Sequence, residues 1–188
     1  KRDKFGLIDK KGNWMLKAEY DAISPKDSFF VVSKGGMQSV LTENLKPILP
    51  FMEADLWISG NSITATMKDH TLRKYNLQGE LIDDFLISNV DRLLYDTDEI
   101  RYTTAKNYDD EGNLTGETAE AEPTPYQKTA NCKKYEADIG WYGLMSPSGK
   151  VITPPRYCDI TAIGYDSYLC KTDDIRGEIL NGKGIRVR

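Results

Sequence analysis

Two stretches of this chain copy each other across 137 positions without a gap. KFGLIDKKGNWMLKAEYDAI lies near the start and WYGLMSPSGKVITPPRYCDI near the end. Gly6 falls on Gly143, Leu7 on Leu144, Gly12 on Gly149, Tyr20 on Tyr157, Ile23 on Ile160 and Lys34 on Lys171, and the aromatic Phe5 falls on Tyr142. A chain that repeats itself folds as supersecondary units that bury their apolar faces against one another. The repeat therefore constrains the architecture more than any single motif does.

A shorter period runs inside the long one. Gly12, Gly79, Gly112 and Gly149 are separated by 67, 33 and 37 residues. The first interval is two periods, and its midpoint reads TENLKPILP, with Leu45 where a glycine would sit. The steps are then 33, 34, 33 and 37, which together span the same 137. Each unit reads as short strands and turns. FGLID alternates and stops at KKGN, and the run FFVV stops at KGG; such runs bounded by Gly, Asn and Asp are strand and hairpin signals. No helical periodicity is sustained. MEADLW admits one helical turn, and residues 117–125 have helical composition but no apolar stripe. The expected fold is all-β: about five tandem antiparallel β-meander repeats, stacked as an open array or closed into a propeller-like ring. A single repeat domain over 1–188 is expected, with repeats near 1–36, 37–68, 69–99, 100–140 and 141–188. The fourth is irregular. Its polar segment LTGETAEAEPTPYQKTANCKKYEADIG reads as a long hairpin extension or a mobile loop.

The order aromatic-Gly-Leu-Ile-Asp, Gly turn, aliphatic pair with Pro, then Tyr and Ile resembles the bacterial WG repeat, also called the KWG repeat. FGLID at Phe5–Asp9 and YGLMSPSGKVITPPRY at Tyr142–Tyr157 carry the resemblance. Phe5 and Tyr142 stand where the family has its Trp, and Trp141 falls one position early. The resemblance implies an array of β-repeats in a bacterial protein and no catalytic residues. The aromatic-Gly pair also has a physical reason of its own. Gly in a strand leaves a gap on the sheet face, and an aromatic from a neighbouring strand can cover it. Phe5, Gly6, Gly12, Tyr20, Gly79, Tyr142, Gly143, Gly149 and Tyr157 are therefore expected to be structural repeat positions.

Little in the sequence points to catalysis. The one histidine, His70, sits in the polar stretch KDHT and reads as an exposed loop residue. There is no Walker loop, no GxGxxG and no metal-ligand spacing. Asn107, Asp109, Glu111 and Gly112 mimic the start of a calcium loop, but the twelfth position is Thr118, so DDEGN reads as a hairpin turn. No cofactor or metal is expected. Cys132, Cys158 and Cys170 read as small, partly buried thiols; Cys158 and Cys170 lie on neighbouring expected strands, where a pairing depends on register.

Net charge is −4 with no basic run, which leaves nucleic-acid binding without an electrostatic footprint. No apolar stretch is long enough to span a bilayer. The chain begins at Lys1 rather than Met, so the gene product is expected to begin earlier; an exported or periplasmic setting is favoured over the cytoplasm. Eleven Tyr and three Trp exceed what hairpin covering needs. Trp14, Trp57 and Trp141 are expected in core or inter-repeat packing, with stacking on a ligand the alternative. The function expected is a non-catalytic binding module for a protein or glycan. The alternative is a carboxylate-dependent glycan hydrolase, which needs two facing carboxyl groups.

Overall fold

Short alternating runs cut by turn residues can satisfy their backbone only by pairing with close neighbours in sequence. The computed structural model, which describes residues 3–99, 102–121 and 126–187, has that form. Its described residues form seventeen strands and no helix, hence no helix long and apolar enough to cross a membrane. The fold is all-β, built of several small sheets, and no sheet closes on itself among the described residues.

β1 (Phe5–Ile8) and β2 (Trp14–Tyr20) form an antiparallel hairpin. β3 (Ala22–Lys26), β4 (Phe29–Lys34) and β5 (Met37–Thr42) form an antiparallel meander. β6 (Ala54–Ser59), β7 (Ser62–Met67), β8 (Leu72–Asn76) and β9 (Leu81–Leu86) form another. MEADLW is thus mostly strand: Ala54, Leu56 and Ile58 are buried and alternate with exposed Asp55, Trp57 and Ser59, a period of two. β10 (Asn89–Asp96) pairs with β13 (Gln127–Glu136), and β13 with β14 (Tyr142–Met145). Between β10 and β13 the chain makes a separate antiparallel hairpin, β11 (Tyr102–Tyr108) with β12 (Leu114–Ala121). β15 (Asp159–Gly164), β16 (Ser167–Lys171) and β17 (Gly177–Asn181) complete the set.

Of the two readings of the polar segment after Leu114, the structure has the hairpin extension. Residues 117–121 are strand, and β13 buries Ala130, Cys132 and Tyr135; residues 122–125 lie outside the described residues.

One turn recurs throughout. It spans Asp9–Asn13, Thr42–Lys46, Asn76–Glu80, Asp109–Asn113, Ser146–Lys150 and Asn181–Ile185. In each, the first residue's side-chain oxygen accepts the fifth residue's N–H, at 2.8–3.1 Å. The fourth residue takes positive φ, from 61° at Leu45 to 89° at Gly149. This is an Asx/ST turn closed by a left-handed residue, which explains both the glycine and the polar residue three positions before it. DDEGN is such a turn: its Asp109 carboxylate, held below the usual range by the bonds from Asn113, serves the backbone.

The chain divides into two compact units. The first comprises Lys1–Asn89, Glu136–Trp141 and Pro154–Arg156, the second Val90–Tyr135, Tyr142–Thr153 and Tyr157–Arg188. The first unit's core gathers Val40, Leu49, Leu56, Ile58 and Ile63; the second's gathers Leu144, Tyr157, Ile160, Tyr168, Cys170 and Leu180. All three cysteines are free. The register explains why: Cys170 sits opposite Ile160, and Cys158 donates its N–H to the Lys171 carbonyl.

Candidate functional site

The structure places the repeat positions in the turn and the pairing register. Phe5 pairs with Tyr20 and Ile8 with Trp14; at the 137-residue offset, Tyr142 bridges Tyr157 and Met145 bridges Val151. Gly12, Gly79 and Gly149 hold the left-handed position of their turns. Tyr20 stacks on Phe51 at 6.5 Å, and buried Tyr157 donates its hydroxyl to Glu178 Oε1 at 2.7 Å. The gaps at Gly6 and Gly143 are covered by aromatics. A Cβ on Gly143 would lie 2.5 Å from the Tyr135 ring, and one on Gly6 would lie 2.7 Å from Trp14 Cζ3.

What the structure adds is a set of exposed aromatics. Trp14 and Trp57 are 62% and 67% exposed, which corrects their expected placement in packing. Tyr102, Tyr108 and Tyr165 are exposed too. Of these, Tyr165 borders a concavity of about 260 Å3 with a smaller ring at its edge, and Trp57 borders the larger one of about 340 Å3. Its polar alternation partners Asp55 and Ser59 put it on the outer face of β6, a signal present in ADLWIS that counting tryptophans misses.

The cleft has an apolar side made by Pro25, Val31, Leu56 and Ile58, with Ser24 and Lys26 presented by β3. Lys26 Nζ stands 5.9 Å from the centre of the Trp57 ring. Gln38 fixes the junction of β5 and β6. Its Oε1 accepts the Leu56 N–H at 2.8 Å, its Nε2 donates to Asp55 Oδ1 at 3.0 Å, and its backbone exchanges two 2.9 Å bonds with Met52. A side-chain amide thus continues the ladder where the chain itself leaves it.

A second cleft of about 210 Å3 in the same unit carries most of the nearby charge. Its His70 is not the exposed loop residue expected. It is 30% exposed, holds a left-handed backbone at φ 64°, and stacks on Trp141 with ring centres 3.6 Å apart and planes within 10°. Its Nδ1 lies 3.5 Å from Asp138 Oδ2. No local sequence pattern links residues so far apart. Glu53 pairs with Lys68 at 2.7 Å, and that hydrogen bond holds its carboxyl below the usual range. The chemistry available here is ionic and hydrogen-bonding, with every carboxylate already engaged.

Recurring hairpins closed by one kind of turn, and a few aromatics left on the surface, define a tandem β-repeat protein. The family model for the WG containing repeat matches residues 5–37 and 142–168, so the chain carries WG repeats in these two regions. No curated protein matches it. Among solved structures it is similar to the crystal structure of the computationally designed Ika8 protein, at 15% identity and a TM-score of 0.28. That match covers 93% of this chain and 64% of the designed one.

Proposed function

We propose that this chain is a non-catalytic binding module whose ligand, a protein or a glycan, is taken at the Trp57 cleft. The observation that carries the reading is a tryptophan 67% exposed beside a concavity with an apolar side. Exposing a large aromatic sacrifices burial, and such a ring beside a cleft suits stacking on a ligand. The hydrolase alternative would draw on Glu53, Asp55 and Asp138 of the smaller cleft. Those carboxylates are engaged by Lys68, Gln38 and His70, and Lys68 lowers Glu53, whereas a glycosidase acid requires a raised pKa.

The test is a binding screen of glycans and extended peptides, followed by titration of the best ligand against Trp57→Ala. A stacked ring contributes about 0.5–1.5 kcal/mol beyond its buried area, so affinity should fall about tenfold. Thermal stability should be unchanged, since the side chain packs little. Binding indifferent to Trp57, or release of cleaved sugar from any glycan, overturns the reading.

A further inference from the structure

We infer that the Trp57 cleft selects an acidic pyranose, a uronic-acid sugar, with the apolar face of its ring on the Trp57 indole and its carboxylate on Lys26. The inference rests on the binding-module reading and names the ligand class of that same cleft.

A pyranose has a flat face of C–H bonds and a rim of hydroxyl groups. A site for it needs an aromatic platform with polar groups at the edge. The Trp57 ring supplies the platform, and a cleft of about 340 Å3 has the scale of a small ligand rather than of an extended chain. Ser24 is among the residues that line the cleft. Gln38 donates one amide hydrogen to Asp55 and, with two to give, keeps the second for a ligand.

Lys26 selects the acid. It makes no ion pair among the described residues, and its ammonium faces the indole at 5.9 Å instead. A neutral sugar on Trp57 competes with that ammonium for the same ring and offers it no charge in return. A uronate carries its carboxylate one bond off the ring, so stacking brings the carboxylate alongside Lys26, and the lysine exchanges a cation–π contact for a charge-assisted hydrogen bond. The chain's net charge of −4 does not oppose this at close range, because at physiological salt charges beyond about 8 Å are largely screened.

An added peptide strand is disfavoured by the same residues. Pro25 has no N–H to offer from β3, and the Leu56 N–H on β6 is already taken by Gln38. Two of the ladder donors that a docking strand would use are therefore missing.

The experiment is calorimetric titration, at 0.15 M salt, of a galacturonic acid trimer and a glucuronic acid trimer. Each is compared with its methyl ester, and a poly-Glu peptide of equal charge is run alongside. At least one acid should bind ten or more times tighter than its ester. Lys26→Gln should lower the acid to the ester's level without weakening the ester, while Trp57→Ala should weaken both; circular dichroism establishes that each variant is folded. The inference is overturned if acid and ester bind alike, if Lys26→Gln has no effect, if poly-Glu binds as well as the sugar, or if neither acid binds. Acid and ester that bind alike but both depend on Trp57, or a peptide that binds through Trp57 as well as the sugar does, would leave the binding-module reading standing while removing this one.

Discussion

The hairpins Phe5–Tyr20 and Tyr142–Tyr157 share sequence pattern, turn and register, yet only the second is inside the protein. Phe5, Ile8 and Trp14 are 53%, 59% and 62% exposed, whereas Leu144 and Tyr157 are fully buried and Met145 nearly so. The difference lies in the neighbours. β14 has β13 on its other side, whereas β1 pairs with β2 alone among the described residues. The glycine gap is filled accordingly. Tyr135 comes across from β13 to cover Gly143, while Gly6 is covered from within its own hairpin by Trp14, at the position that Val151 holds in the copy. The repeated pattern thus encodes turn and pairing, and burial is set by what lies alongside, as capping units of repeat proteins illustrate.

The largest test of this contrast is a branched residue at each glycine. In Gly143→Val, the new Cβ starts 2.5 Å from a Tyr135 ring that cannot retreat, since it is fully buried and its hydroxyl donates to the Thr153 carbonyl at 2.6 Å. A cost of about 3 kcal/mol or more is expected, at the upper end for overpacking. In Gly6→Val, the Cβ meets the Leu16 carbonyl oxygen at 2.5 Å, but an exposed hairpin can open locally and limit the loss to about 1 kcal/mol. Urea unfolding of the two variants measures the difference, and equal losses would mean that burial does not distinguish the copies.

The aromatic cover in the second unit also predicts an alkaline limit. Burial pushes the Tyr135 and Tyr168 phenols above their ordinary value near 10. Above pH 10 the unfolded chain releases these protons while the native state retains them, so stability falls as pH rises, by about 1.4 kcal/mol per pH unit for each tyrosine. Below pH 10 these two groups contribute no pH dependence. Tyr135→Phe should remove one tyrosine's share of the slope. It should also cost about 1 kcal/mol at neutral pH, for the bond lost to Thr153. Denaturant unfolding between pH 8 and 11 reads both effects, and an unchanged slope in the variant would place the tyrosine's alkaline effect elsewhere.

What the sequence reveals follows from the range of the interactions. The turns are legible because acceptor, left-handed residue and closing pair lie within five positions; even Leu45, at φ 61°, keeps the turn that Thr42 anchors. The outward side of Trp57 is legible in alternation. β13 is hard to see because its inward residues include small Ala130 and Cys132, and the period of two breaks before Tyr135. The gapless match between the ends hides a register change: Ile23 faces Val32, but Ile160 faces Cys170, one position beyond the equivalent Leu169, and an irregularity near Gly164 shifts the pairing again. The His70–Trp141 stack and the Lys26–Trp57 approach join separate hairpins, so no local pattern announces them.

If the repeat encodes the turn locally, substitutions confined to the turn should cost the same in both copies, however differently the hairpins are buried. Gly12 and Gly149 provide the measurement. Their φ values are 85° and 89°, and a Cβ at either position meets nothing within 4 Å. Alanine there would bear only the left-handed backbone penalty, about 1 kcal/mol, with no packing contribution to separate the sites. Gly12→Ala and Gly149→Ala should therefore shift the urea midpoint by similar small amounts, in contrast to the unequal pair at Gly6 and Gly143. A much smaller effect at Gly12 would mean that the exposed hairpin opens before the rest of its unit and contributes little to the measured stability. A much larger effect at Gly149 would mean that the turn depends on its buried surroundings, and the separation of local pairing from neighbour-dependent burial would fail.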